Sequence, residues 1–372
     1  MKKTKIITMY LPQYHQIPEN DKFWGKGFTD WTTVRNAVPL FSGHIQPKTP
    51  ENNNYYDLSE EQNVIWQAQL AKTNGIYGFG VYHYWFNNDK NLLTKPAEII
   101  RDSKNVNINY FLAWDNANWV RSWSNVKGNA WAPIAEKKMD TKKEPTIMLP
   151  YILGSEEDWK IHYSYLKKHF LSPKYIKVNN KPIFIIFNYT PKISLMCQYW
   201  DELAKKDGFD GVYAILKNAV GFNIPEEFPK FKYEPLFSGW PKRTLRDKIQ
   251  NKLSKFFGVR VKADKYDYDY VWRNILKNAE KDISQNIYHG GFVAYDDTPR
   301  RGNKGKVVTG STPQKFAYYL SQLLKISSAQ DKEFVFITAW NEWGEGAYLE
   351  PDTINGIKYL EAISEVTNYI KL

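Results

Sequence analysis

Short apolar and aromatic runs alternate along the chain with longer stretches whose apolar positions recur every three or four residues. The first pattern suits a strand buried on both faces, and the second an amphipathic helix. Strands are predicted at 5–11, 77–84, 110–114, 182–187, 212–216, 231–235, 292–295 and 334–339. Helices are predicted at 60–74, 92–102, 156–170, 195–206, 269–282, 313–328 and 357–370. In the first helix Val64, Ile65, Ala68 and Ala71 share one face, with Ser59 as N-cap and Gly75 as stop. Eight strands, most of them followed by a helix, imply a parallel sheet. Eight such units favour closure into an α/β (β/α)8 TIM-type barrel with long βα loops. An open, doubly wound sheet is the runner-up, but no G-x-G-x-x-G follows the first strand. One catalytic domain is expected over 1–372, with a basic helical insertion at 236–268 inside it.

Composition narrows the class. Hydrophobic residues make up 42% and charged residues 24% of 372 positions, an ordinary folded mixture that excludes global disorder. The single cysteine, Cys197, excludes a disulfide framework and a Cys-based zinc site, and fits a reducing compartment. No apolar run reaches the ~18 residues of a membrane span. Lys2, Lys3 and Lys5 precede an apolar stretch that ends at Pro12, Gln13 and His15, too short for a signal peptide, so the expected location is cytoplasmic. The 14 Trp, 26 Tyr and 20 Phe leave two readings open: rings that stack on sugar faces, or unusually large core residues.

The net charge of +11 is concentrated. Between 242 and 265, nine Lys/Arg against two Asp give a local +7. A nucleic-acid binder would interleave basic and aromatic residues over a broad face, so no nucleic-acid partner is expected. Within 241–265, Leu245, Ile249, Leu253, Phe256 and Phe257 form one stripe, opposite Arg243, Arg246, Lys248, Lys252 and Lys255. Such a helix either packs on the barrel wall or lies on an anionic membrane surface, here the inner face of the membrane.

In a barrel of this kind the active site lies at the C-terminal ends of the strands. Polar and aromatic residues collect there: Gln13, Tyr14 and His15; His83, Tyr84, Trp85, Phe86 and Asn87; Trp114, Asp115, Asn116, Asn118 and Trp119; Asn188 and Tyr189; Tyr233 and Glu234; Asp296, Asp297, Arg300 and Arg301; and Trp340, Asn341, Glu342, Trp343 and Glu345. Glu342 and Glu345 stand three apart, beside Gly344 and Gly346, on a chain leaving the last strand. Paired carboxylates suit glycoside chemistry, one acting on the leaving oxygen and the other as base or nucleophile. A hydrophobic wall such as Trp343 would raise one of their pKa values. Arg300 and Arg301 either hold an anionic group or pair with Asp296 and Asp297. His15 and His83 are read as hydrogen-bonding sugar hydroxyls. No spacing suggests a metal site, and no cofactor is expected.

Five motifs in order carry a family resemblance: Tyr10-Leu11-Pro12-Gln13-Tyr14-His15, Trp24 through Trp31, His83-Tyr84-Trp85-Phe86-Asn87, Asp296-Asp297-Thr298-Pro299-Arg300, and Trp340-Asn341-Glu342-Trp343-Gly344-Glu345-Gly346. Together they resemble the WbsX-like family, which is related to the endo-α-mannosidases. The resemblance implies a (β/α)8 fold and a place in bacterial lipopolysaccharide or capsule gene clusters. It implies that Glu342 assists attack by the substrate's 2-hydroxyl and that Glu345 is the acid/base for the leaving group. The family pattern after the third strand usually reads Trp-Ala-Asn-Glu-Asn-Trp. Here Asp115 replaces the Ala and Ala117 replaces the Glu.

The expected function is therefore retaining cleavage or transfer of a glycosidic bond in an oligosaccharide or polysaccharide of the cell surface, with a lipid-linked glycan as one candidate. The expected substrate-binding set is Tyr14, His15, Trp31, His83, Tyr84, Trp85, Asn87, Trp114, Asn116, Asn118, Trp119, Tyr189, Glu234, Asp296, Arg300, Trp340, Asn341 and Trp343. The alternatives are a nucleotide-sugar-dependent glycosyltransferase and a non-catalytic glycan-binding protein. The first needs a diphosphate site, and the Asp267-Tyr268-Asp269 triplet reads instead as helix cap and loop. The second has no need of two carboxylates.

Overall fold

The computed structural model describes residues 4–120, 147–217, 225–240 and 263–369. Eight parallel strands form the barrel: β1 (Lys5–Tyr10), β2 (Gly78–Asn87), β3 (Asn109–Trp114), β4 (Lys181–Ile186), β5 (Tyr213–Lys217), β6 (Lys230–Phe231), β7 (Ile287–Phe292) and β8 (Phe334–Thr338). Each pairs with its neighbours in chain order. The ring closes because β1 pairs with both β8 (Lys5 opposite Phe334) and β2 (Ile7 opposite Gly78). The helices around it are α1 (Glu61–Thr73), α2 (Lys95–Asp102), α3 (Glu156–Phe170), α4 (Pro191–Lys206), α5 (Tyr268–Lys281), α6 (Pro313–Ala329) and α7 (Lys358–Tyr369).

The helix boundaries follow local chemistry. Pro191 opens α4 four residues before the periodicity suggests, because proline fits the first helical turn, where no N–H partner is needed. Glu60 rather than Ser59 stands at the N-cap of α1, since Ser59 is bonded to Asp57. Asp267 caps α5 by accepting from the Tyr270 N–H, and Asp269 binds Lys315 and Tyr319. The Asp-Tyr-Asp triplet is thus a cap and a helix-surface pair.

Three strands differ from expectation. β2 runs on to Asn87, and beyond the barrel it folds back antiparallel on Lys90–Leu92. Only Lys230 and Phe231 pair in β6. β7 spans Ile287–Phe292 rather than 292–295, because Gly290 and Gly291 hide it from the hydrophobic pattern. A Cβ on Gly290 would run into the Lys232 carbonyl, and one on Gly291 would stand 2.8 Å from the Trp272 ring. Here glycine marks close approach, not a break.

Much of the aromatic content is core. Trp114, Trp200 and Trp272 are fully buried between barrel and helices. The indoles of Trp114 and Trp200 donate to the Trp85 and Trp159 carbonyls at 2.9 and 2.8 Å. The apolar stripe of the basic segment, from Leu245 to Phe257, lies outside the described residues. Its C-terminal flank is a strand, not helix: Asp264–Asp267 pairs in parallel with Lys306–Thr309. No helix among the described residues is long and apolar enough to cross a membrane.

Candidate active site

After β8 the chain makes a tight excursion. Asn341–Glu342 pairs antiparallel with Ala347–Tyr348 around one 3₁₀ turn, Trp343–Glu345. Three residues make one 3₁₀ turn, so side chains at i and i+3 eclipse. That places Glu342 and Glu345 on one side. The two glycines do different work. Gly346 has a left-handed φ of +57°, which closes the turn. Gly344 makes room: a Cβ there would lie 2.5 Å from Arg300 Nε and 2.7 Å from Asp30 Oδ2.

Arg300 occupies that space and organises the site. Nη1 donates to Glu345 Oε1 at 2.9 Å, and Nη2 donates to Glu342 Oε2 at 3.0 Å. Nη2 also reaches both oxygens of Asp30 at 3.1 Å. A planar guanidinium with five fixed donors can hold two carboxylates in one relative orientation, which a lysine cannot. Asp30 in turn accepts the Gly344 N–H at 3.2 Å, tying the cluster to the turn. Arg300 therefore pairs with neither Asp296 nor Asp297, whereas Arg301 does pair with Asp297, at 3.1 Å.

Glu342 is buried and Glu345 is more open, with side-chain exposures of 4% and 21%. Burial pushes the Glu342 carboxyl up to about 8, against the pull of Arg300 and with help from Glu345 and Asp30. The phenols of Tyr14, Tyr82, Tyr84 and Tyr233 lie in its field. Tyr82 and Tyr233 are hydrogen-bonded to each other across the barrel at 2.6 Å. The Tyr14 hydroxyl touches the turn directly, donating to the Asn341 carbonyl at 2.5 Å and accepting the Trp343 N–H at 3.2 Å. Trp343 is turned away, stacked on Tyr348 at 3.7 Å and donating to Glu350 at 2.6 Å.

A family model described as glycosyltransferase WbsX matches residues 6–363. The chain belongs to this WbsX family. WxcX of Xanthomonas campestris pv. campestris strain B100 is 28% identical over 370 residues, covering 96% of this chain and 48% of WxcX. The chain thus spans about half the length of the curated relatives it matches. Among solved structures, a glycoside hydrolase-like protein aligns with a TM-score of 0.58 at 10% identity, over 99% of this chain and 94% of that one. The GH99 endo-α-mannosidase of Bacteroides thetaiotaomicron aligns with a TM-score of 0.54 at 12% identity, over 100% and 98%. At such identities these likenesses show the fold, and with it the TIM-type barrel. The chain is thus a TIM-type barrel of the WbsX family.

In this WbsX-family barrel the expected site residues separate into groups. Glu342, Glu345, Arg300, Tyr14 and Tyr84 come together. Asn341 instead clamps the end of β1: its side chain accepts the Leu11 N–H at 2.7 Å and donates to the Leu11 carbonyl at 3.0 Å. Trp31 packs between Tyr14 and Trp343 and donates to the Tyr56 carbonyl. Trp340 is in the core beside Phe79. Asp296 gives its N–H to the Glu345 carbonyl at 2.6 Å, while its carboxylate accepts from Gln46 at 2.6 Å and meets His44 at 2.7 Å, which holds its pKa below the usual range. Asn116 clamps the loop after β4 through the Asn188 backbone. Asn118 is exposed and accepts the Tyr151 N–H. Trp119 abuts Tyr84, Phe86 and Trp24. Tyr189 bonds Ser194, Asn87 holds the hairpin turn at Asp89, and His15 is buried with no partner for its Nδ1 among the described residues.

Four expected residues face away from the carboxylates. His83 meets His162 of α3 at 2.9 Å, and burial drives its pKa to about 3. Trp85 stacks on His162, and Trp114 packs on His162 and Trp200. Glu234 turns into the bend after β6, where it accepts the Ser238 N–H at 2.8 Å. Alternation along a strand explains the first three, since Tyr82, Tyr84 and Asp115 take the inward positions, whereas Glu234 lies past the end of β6, where the chain turns. Asp30, Tyr82, Tyr233 and Lys217 belong to the site and were absent from the expected set. Inward parity marks Tyr82, and strands apolar on both faces do not reveal parity, whereas Asp30 opens a short helix inside the Trp24–Trp31 motif.

Proposed function

We propose that this enzyme breaks or transfers a glycosidic bond with retention, using Glu342, Glu345 and the substrate's own 2-hydroxyl. The observation that supports this is the Arg300 bridge, which presents two carboxylates together at a phenol-lined barrel mouth. In this reading Glu342 takes the proton from O2 as O2 attacks C1. The C1–O glycosidic bond breaks with its electron pair, and Glu345 gives its proton to the leaving oxygen. The resulting 1,2-anhydro sugar is opened at C1 by water or a sugar hydroxyl, which gives its proton to Glu345, while Glu342 returns its proton to O2. Both carboxyl groups end as they began, and two inversions at C1 give net retention. A base raised to about 8 takes a hydroxyl proton more readily than an ordinary carboxylate does.

Because water and a sugar hydroxyl enter by the same route, the glycosyltransferase description of the family and a hydrolase-type site are compatible. The nucleotide-sugar alternative lacks support, since the Asp-Tyr-Asp triplet is spent on capping and ion pairing. A bacterial cell-surface polysaccharide, lipid-linked or free, fits the family best as substrate, and a cytoplasmic enzyme at the inner membrane face fits the local charge. Mass spectrometry of the treated polysaccharide distinguishes shortening (hydrolysis) from extension (transfer), and NMR reads the first-formed anomer. The retained anomer is expected. An inverted anomer, or full activity on a 2-deoxy substrate, overturns the mechanism.

A further inference from the structure

Beside the carboxylate pair are two opposite charges with no hydrogen-bond partner among the described residues. Lys217 ends β5, and its Nζ lies 4.1 Å from the Phe187 ring centre and 4.4 Å from that of Tyr233. It is half-buried, and no carboxylate among the described residues comes within ion-pair distance of it. Asp115 follows β3, with its N–H donated to the His83 carbonyl and its carboxylate without a hydrogen bond among the described residues. The two groups lie in each other's field, and Lys217 also feels Glu345 and Glu342. Tyr84 lies in the field of Asp115 and of Glu342, and the Tyr233 ring under Lys217 is hydrogen-bonded at 2.6 Å to Tyr82, two residues before Tyr84 on β2.

Half-buried charges without hydrogen-bond partners are costly unless something satisfies them, and the two rings under Lys217 offer it no acceptor oxygen. A lysine ammonium only donates and a carboxylate only accepts, whereas a sugar hydroxyl does both. Neighbouring hydroxyls on one ring can therefore satisfy Lys217 and Asp115 together. An anionic group at Lys217 would instead sit close to Asp115, Glu342 and Glu345. Arg300, the site's other cation, already engages three carboxylates and does not relieve that repulsion.

We propose that Asp115 and Lys217 form a hydroxyl-bridging subsite beside Glu342 and Glu345 that selects a neutral sugar ring over one carrying a carboxylate or phosphate. This rests on reading the barrel mouth as a glycan site. The replacement of the usual Ala by Asp115 is then a change of specificity, leaving the carboxylate pair untouched.

The test is binding, not turnover. Methyl glycosides of glucose, galactose and mannose, and methyl glucuronide, are titrated by ligand-observed NMR against the full chain, Asp115→Asn and Lys217→Met, with folding checked by thermal melting. The parent is expected to prefer the neutral glycosides. Hydrogen bonds to charged groups are worth about 1.5–3 kcal/mol, so each variant should weaken neutral binding about tenfold or more. Asp115→Asn should in addition raise the relative affinity for the glucuronide, a reversal that a merely structural role would not produce. A parent that prefers the glucuronide, or folded variants that bind neutral glycosides within twofold of the parent, overturn the subsite while leaving the glycan site standing. Binding of no glycoside overturns both.

Discussion

Glu342 sits among four phenols with a guanidinium on one oxygen, and its partner Glu345 is the more open of the two. Replacing either by Gln keeps the shape and removes the ionisable group. Each change is expected to lower turnover by ~10²–10⁴ with the fold kept. Turnover within threefold of the parent on the true substrate would remove both from the mechanism. The pH profile is a second check. If Glu342 is the base it must be ionised, so kcat/KM should rise with pH and level off above about 8. A fall through that range would make it the acid instead. The same shift has a sign for stability. The folded carboxyl keeps its proton between the ordinary value of 4.5 and about 8, so its contribution is full below 4.5 and is lost as pH rises through 8. Glu342→Gln should flatten that alkaline decline in chemical denaturation.

The turn after β8 is the smallest element that carries the proposed chemistry, and its geometry was legible: carboxylates three apart beside two glycines stand side by side on one arginine. The division of labour between the glycines was not, because Gly344 answers to Arg300 and Asp30, which are distant in sequence. Gly344→Ala should push Arg300 off the pair, with kcat falling at least tenfold while Gly346 still closes the turn. Parental kcat in that variant would mean that the bridge is dispensable. Below the turn, Glu350 accepts from Tyr56 at 2.8 Å, Gln67 at 2.7 Å and Trp343 at 2.6 Å. Glu350→Ala strands three buried donors and should cost on the order of 3 kcal/mol in denaturant unfolding. A loss under 1 kcal/mol would show that the network does not hold the turn.

For the molecule as a whole, the local +7 at 242–265 predicts salt-sensitive sedimentation with anionic liposomes and none with neutral ones, since each Lys or Arg near such a surface is worth ~1 kcal/mol. Protein that stays in the supernatant with anionic liposomes at low salt would rule out membrane attachment. The eightfold alternation of apolar runs and helical stretches was enough, on the sequence alone, to determine a closed barrel and the rim at which its βα loops gather, because parallel strands need crossover helices. It also determined the Glu342–Glu345 pair, which is local. Only the tertiary structure decided which residues look inward. His83 and Trp85 face α3 while Tyr82 and Tyr84 face the carboxylates, and Glu234 turns out while Tyr233 turns in. A one-residue change of phase exchanges the faces of a strand, and a strand apolar on both sides carries no mark of that phase until the barrel closes.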